Sequence, residues 1–139
     1  MANKNGSKWI TRQKRLAIYL RDGMSCCYCN KSIEDDITLS LDHIIPRNFG
    51  GNNKANNLIT ACKHCNEIRQ DRDLSEFVKL YHMFHGSKSI TPQMTLEYIK
   101  NRLNEDLRPY VMQAKEIIEK RPQWQNALNY ASNGNIKEM

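Results

Sequence analysis

Two Cys-x-x-Cys pairs, Cys26/Cys29 and Cys62/Cys65, bracket an Asp42-His43 pair, a Gly50-Gly51 step and the asparagines Asn57 and Asn66. Thiol, carboxylate, imidazole and amide groups crowd into 41 of the 139 residues. Ordinary core packing does not call for that mixture. Each Cys-x-x-Cys turns two sulfurs to one side of a tight turn, and two such turns can complete a tetrahedron around Zn²⁺. Four thiolates close the shell, so this metal is expected to stabilise the fold and not to meet substrate. Cys27 is left as a free thiol. His82 and His85 lie three apart and could also make a metal face, but the four cysteines already satisfy a zinc. They are read as helix-surface histidines.

His43 is the best general-base candidate, because an imidazole titrates near neutrality. Asp42 precedes it on an alternating segment, so strict alternation sends the two side chains to opposite faces. Geometry alone does not bring them to one site. Arg47 follows Pro46 in a loop and can grip a phosphate. Arg69 stands three residues after Asn66, one turn along the same helix face, and can do the same. Lys54, with Arg12, Lys14 and Arg15, can contact a nucleic-acid backbone, which gives affinity without sequence choice. Taken singly, each has a bland alternative: a turn cap, a core histidine, a solvated arginine.

Taken together, Asp42-His43-Ile44-Ile45-Pro46, Gly50-Gly51, Asn57-Leu58 and Cys62-x-x-Cys65-Asn66 resemble the HNH nuclease family. The resemblance covers roughly residues 21–72, with "RDGMSCCYC" ahead of the motif. It implies a ββα-metal fold, in which two strands and the loop between them are closed by a helix over one divalent ion. It implies Asp42 and Asn66 as protein ligands of a catalytic Mg²⁺ or Mn²⁺. Asn57 would hold the loop and orient His43. A 3′-oxygen would leave, giving a 5′-phosphate and a 3′-hydroxyl. Oxygen ligands suit a hard, hydrated cation. Some members have His where this chain has Asn66, and losing that imidazole weakens the case for transition metals relative to Mg²⁺.

These residues need elements to hold them. Residues 11–22 read as a helix, with Thr11 as cap and Gly23 as left-handed stop. "ITLSLDHII" alternates as a strand, "PRNFGGNNKANN" is a loop by composition, "LITACK" is a second strand and "CNEIRQDR" a short helix. Asp73 and Glu76 have capping-box spacing before "FVKLYHMF". Thr91-Pro92, Pro109 and Pro122 open further helices, the last ended by Asn133-Gly134. Tyr98, Ile99, Leu103, Ile117, Ile118 and Trp124 have the helical spacing of a core, with a docking face as the alternative. The expectation is an α+β chain. Residues 8–74 form a small zinc-stapled ββα-metal module with an N-terminal helix, and residues 75–139 form a helical extension, either packed on the module or a domain of its own.

The formal net charge of +6 is uneven: residues 1–72 carry 12 Lys and Arg against 7 Asp and Glu, and residues 73–139 carry 9 against 8. The basic half also holds the motif, and basic surface meets phosphate. No run is apolar enough to span a membrane. Trp9-Ile10 is broken at once by "TRQKR", so no secretion signal is read, and a reducing, cytoplasmic setting follows for the thiols. The resulting expectation is a metal-dependent endonuclease on double-stranded DNA, like the small freestanding members of phages and mobile elements. A zinc-stapled nucleic-acid-binding module without catalysis is the alternative, as is a nuclease subunit with a protein partner on the extension.

Overall fold

The computed structural model describes residues 9–86 and 89–120. It contains five α-helices among these residues: α1 (Arg12–Arg21), α2 (Lys63–Arg69), α3 (Leu74–His85), α4 (Pro92–Asn104) and α5 (Arg108–Lys120). Two strands, β1 (Leu39–His43) and β2 (Leu58–Cys62), pair antiparallel with Leu39 opposite Cys62 and His43 opposite Leu58. The chain is therefore α+β, with a small sheet closed by a helix.

Helix α1 begins where Thr11 Oγ1 accepts from the Lys14 amide at 3.1 Å. It ends in a Schellman turn: Gly23 N–H reaches Leu20 O, Met24 N–H reaches Tyr19 O, and Gly23 takes φ +75°. Its last residue, Arg21, is fully buried with Asp22. The guanidinium donates to both Asp22 oxygens at 2.8 and 3.0 Å, to Ala55 O at 3.0 Å and to Leu58 O at 2.7 Å. Asp22 in turn accepts from the Thr60 amide at 2.8 Å. A buried charge is tolerated when it is paired and its remaining hydrogen bonds are met. Here that pairing fixes α1 across β2.

Strand β1 is shorter than its alternating sequence suggests. Ile44 and Ile45 leave the ladder because Asn57 takes both their amides, Ile44 N–H on its backbone oxygen at 2.9 Å and Ile45 N–H on Oδ1 at 2.8 Å. Helix α2 starts two residues before the expected Cys65, since Cys62 Sγ accepts from the Cys65 amide at 3.3 Å and caps it. Asp73 caps α3 and Thr91 caps α4, as their spacing predicts.

The described part of the extension packs onto the module. Ile99 of α4 and Phe77 and Val78 of α3 share one cluster with Cys26, Ile59 and Cys65. Ala114 of α5 sits against Leu16 and Ala17 of α1, with Ile117 and Ile118 beside them. Gln13 Nε2 donates to Val111 O at 3.2 Å, and Arg102 donates to Arg21 O at 3.0 Å. Of the six residues with core spacing, Tyr98 is part-exposed at 40%, under the Arg102 guanidinium. Trp124 and the helix expected from Pro122 lie outside the described residues. No helix among the described residues is long and apolar enough to cross a membrane.

Removing one partner of the buried pair strands the other charge. Asp22→Ala is expected to cost about 3–5 kcal/mol in urea unfolding. Arg108→Ala, which breaks only the exposed pair with Asp106, should leave the midpoint where it is.

Candidate functional site

The four cysteines of the two Cys-x-x-Cys pairs converge: the Sγ atoms of Cys26, Cys29, Cys62 and Cys65 all lie within 4.8 Å of one another. Cys29 and Cys62 Sγ are 3.9 Å apart. A tetrahedron with Zn–S bonds of ~2.3 Å has edges of about 3.8 Å, so the cluster can hold zinc. Backbone amides already face the sulfurs, as a thiolate needs: Tyr28 and Cys29 N–H toward Cys26 Sγ at 3.4 and 3.5 Å, and Cys65 N–H toward Cys62 Sγ. The Cys29 pKa is lowered to about 7, chiefly by its hydrogen bond with Cys26, and Cys62 is lowered for the same reason. Cys26 and Cys65 are raised by the same contacts. Cys27 stands apart, its thiol pushed up by burial, and its amide donates to Thr60 O at 3.0 Å. All five cysteines are free of disulfides.

The histidines of α3 are not alike. His82 is half-buried and its Nε2 meets Thr95 Oγ1 at 2.8 Å, so it joins α3 to α4 and is not a surface residue. His85 is exposed beside the Tyr81 ring.

The end of β1 carries Asp42 and His43 with different neighbours, as alternation requires. Asp42 is buried. Its Oδ2 accepts from Arg69 Nη1 at 2.7 Å and from the Tyr28 hydroxyl. Arg69 was expected at a phosphate, but the structure corrects this: its side chain is 0% exposed and its donors are taken. Nη1 also donates to Tyr28 Oη at 3.3 Å and His43 O at 3.0 Å, Nη2 to Ile44 O at 2.6 Å and Nε to Arg72 O at 3.1 Å. Burial works against the Arg69 charge, but Tyr28 and Asp42 outweigh it and its pKa is raised. Burial, then the Asp42 carboxylate, hold the Tyr28 hydroxyl protonated well above its usual range.

His43 is half-buried on the other side. Its Nε2 lies 2.9 Å from Asn53 Oδ1, and its ring centroid is 5.0 Å from that of Trp9 at an interplanar angle of 41°. Arg15 covers Trp9 at 5.7 Å, and Lys14 Nζ donates to Asn53 O at 2.7 Å. Two of the weaker basic candidates thus brace the His43 neighbourhood from α1. Arg47 and Lys54 are exposed on the loop between the strands, which also exposes Ile45 and Phe49. Residues 43–66 contain no Asp or Glu.

Asn57 locks that loop. Besides accepting from Ile45 N–H, its Nδ2 donates to Ile45 O at 3.2 Å and Asn52 O at 2.8 Å. Gly51 makes the fold-back possible: a Cβ there would lie 1.7 Å from Ile45 O. Asn66 stands on α2, where its Nδ2 donates to Ser40 Oγ at 3.0 Å and Leu41 O at 3.1 Å. Its Oδ1 has no hydrogen-bond partner among the described residues, and neither does Asp42 Oδ1.

Residues 26–81 match the family model described as HNH endonuclease. Over these 56 of its 139 residues the chain is similar to HNH endonuclease domains. The match begins at the first zinc-site cysteine and runs through both strands and α2 into α3, beyond the stretch the motif itself covers. Comparisons with curated proteins and with solved structures give no match. An HNH domain points to nuclease chemistry on a nucleic acid.

Sequence reasoning missed Tyr28, Asn53 and Trp9. Tyr28 had a signal, since it lies inside the cysteine knuckle. Asn53 was one asparagine among several, and only the loop's path selects it.

The chain should bind one zinc per molecule in a chelator-competition assay. Cys65→Ser should lose the metal and lower the Tm, because metal binding is coupled to folding. Cys27→Ser should keep the full complement.

Proposed function

We propose that the HNH domain is a metal-dependent endonuclease that hydrolyses phosphodiester bonds in double-stranded DNA. What supports this reading is one observation: the motif residues gather at the end of β1 and on α2, with two oxygen atoms, Asp42 Oδ1 and Asn66 Oδ1, unpartnered among the described residues.

Those oxygens suit a hard cation such as Mg²⁺ or Mn²⁺. Bound there, the ion would polarise the phosphate and offset charge on the leaving oxygen. Arg69 and Tyr28 hold Asp42 Oδ2, so the carboxylate cannot turn. Ser40 and Leu41 hold the Asn66 amide nitrogen, so its oxygen has one direction. Because Arg69 already neutralises Asp42, the nucleic-acid phosphate supplies much of the negative charge such an ion needs.

His43 acts as general base, taking a proton from water as the oxygen attacks phosphorus and the 3′-oxygen departs. The departing 3′-oxygen takes a proton from solvent water, and the products are a 5′-phosphate and a 3′-hydroxyl. Asn57 keeps the loop folded and so keeps His43 at the strand end. Arg47 and Lys54 meet backbone phosphates, and the absence of carboxylates from residues 43–66 favours that approach. The helical extension serves as packing for the module, with α5 covering α1.

The test is conversion of supercoiled plasmid by zinc-loaded protein with Mg²⁺ or Mn²⁺. His43→Ala should keep fold and zinc and lose about 10²–10⁴-fold in rate. Asn66→Ala should lose cutting while still shifting DNA in a gel. Undiminished cutting by His43→Ala defeats the mechanism. Binding without cutting in any divalent ion would leave a binding module, or a nuclease subunit that needs a partner.

A further inference from the structure

We propose that Asn53 is the positioning residue of His43: its amide oxygen takes the Nε2 hydrogen and leaves Nδ1 as the nitrogen that receives the proton from water. The proposal rests on the reading of His43 as general base.

A neutral imidazole has one N–H and one lone pair, and the partner of one nitrogen decides which is which. Asn53 Oδ1 lies 2.9 Å from His43 Nε2. An amide oxygen only accepts, so Nε2 carries the hydrogen and the lone pair falls on Nδ1. No described residue bonds Nδ1.

Asn53 is itself held. Its backbone oxygen accepts from Lys14 Nζ at 2.7 Å, which ties it to α1. The preceding carbonyl, Asn52 O, accepts from Asn57 Nδ2 at 2.8 Å, which ties it to the start of β2. The motif asparagine therefore reaches His43 through the loop, and Asn53 delivers the contact. Trp9 limits the ring's tilt. Among the described residues the His43 ring is thus held by one hydrogen bond and one ring contact. Neither involves Asp42, so the ring and the carboxylate have separate side-chain contacts, while Arg69 holds the strand end that carries both.

Spectra of ¹⁵N-histidine in the full zinc-loaded chain, at a pH where imidazoles are neutral, report the tautomer without DNA or catalytic metal. Wild type should show His43 as the Nε2–H form. Asn53→Ala should show a mixture, and Asn53→Asp, which keeps an acceptor, should restore the single form. In plasmid cutting, Asn53→Ala should lower kcat by about 10²-fold with little change in KM, and Asn53→Asp should recover most of it. A merely structural role would lower Tm and would not move the tautomer. An Nδ1–H form in wild type overturns the proposal, as does Asn53→Ala with unchanged spectra and unchanged kcat. If the spectra behave as expected but His43→Ala cuts at full rate, the base assignment fails, and the catalytic meaning of the contact fails with it.

Discussion

The buried pair between Arg69 and Asp42 is the interaction on which the site depends. A two-stranded sheet is barely stable alone, and its end frays unless something holds it. Arg69 reaches from α2 to the Asp42 carboxylate and, with the same guanidinium, to the carbonyls of His43 and Ile44. The strand end that carries both catalytic candidates is thus tied to the helix that carries Asn66. The pair is almost wholly buried, with side chains 0% and 5% exposed. That makes it costly to break and fixes one arrangement. The other end of α2 is set by the sulfur cluster, through the Cys62 cap on the Cys65 amide. Helix α2 is therefore pinned at both ends, by sulfur and by charge.

Strand alternation then divides the work. Asp42 meets Tyr28 and Arg69, on the side of the knuckle and α2. His43 meets Trp9 and Asn53, on the side of the loop and the start of α1. Tyr28 links the cysteine cluster to Asp42, since it lies between Cys26 and Cys29 and donates to the carboxylate. A closed four-sulfur shell has no place for substrate, so a zinc held there would reach the Asp42 site only through such contacts.

Much of this was legible in the sequence. The four-cysteine cluster, the two strands, α2 and the caps of α1, α3 and α4 follow from spacing and local hydrogen bonding, which are short-range rules. The fate of Arg69 was not legible. Three residues after Asn66 puts an arginine on the expected helix face, but whether that face meets phosphate or a buried carboxylate depends on how α2 docks. Arg21 and Asp22 were hidden in the same way, because charged residues at a helix end read as solvated until Thr60 and Leu58 are seen against them. Asn53 was hidden by its asparagine neighbours. The burial of His82 is hidden in the same way, because its partner, Thr95, stands thirteen residues further on in another helix.

In the proposed mechanism Asp42 and Asn66 present oxygens to a divalent ion that shares the scissile phosphate. The most direct measurement is anomalous diffraction from crystals of the zinc-loaded His43→Ala variant with a DNA duplex and Mn²⁺. The prediction is a zinc peak among the four sulfurs and a separate manganese peak bonded to Asp42, Asn66 and a phosphate oxygen. DNA seated on the loop between the strands, with no manganese at Asp42 and Asn66, would contradict it.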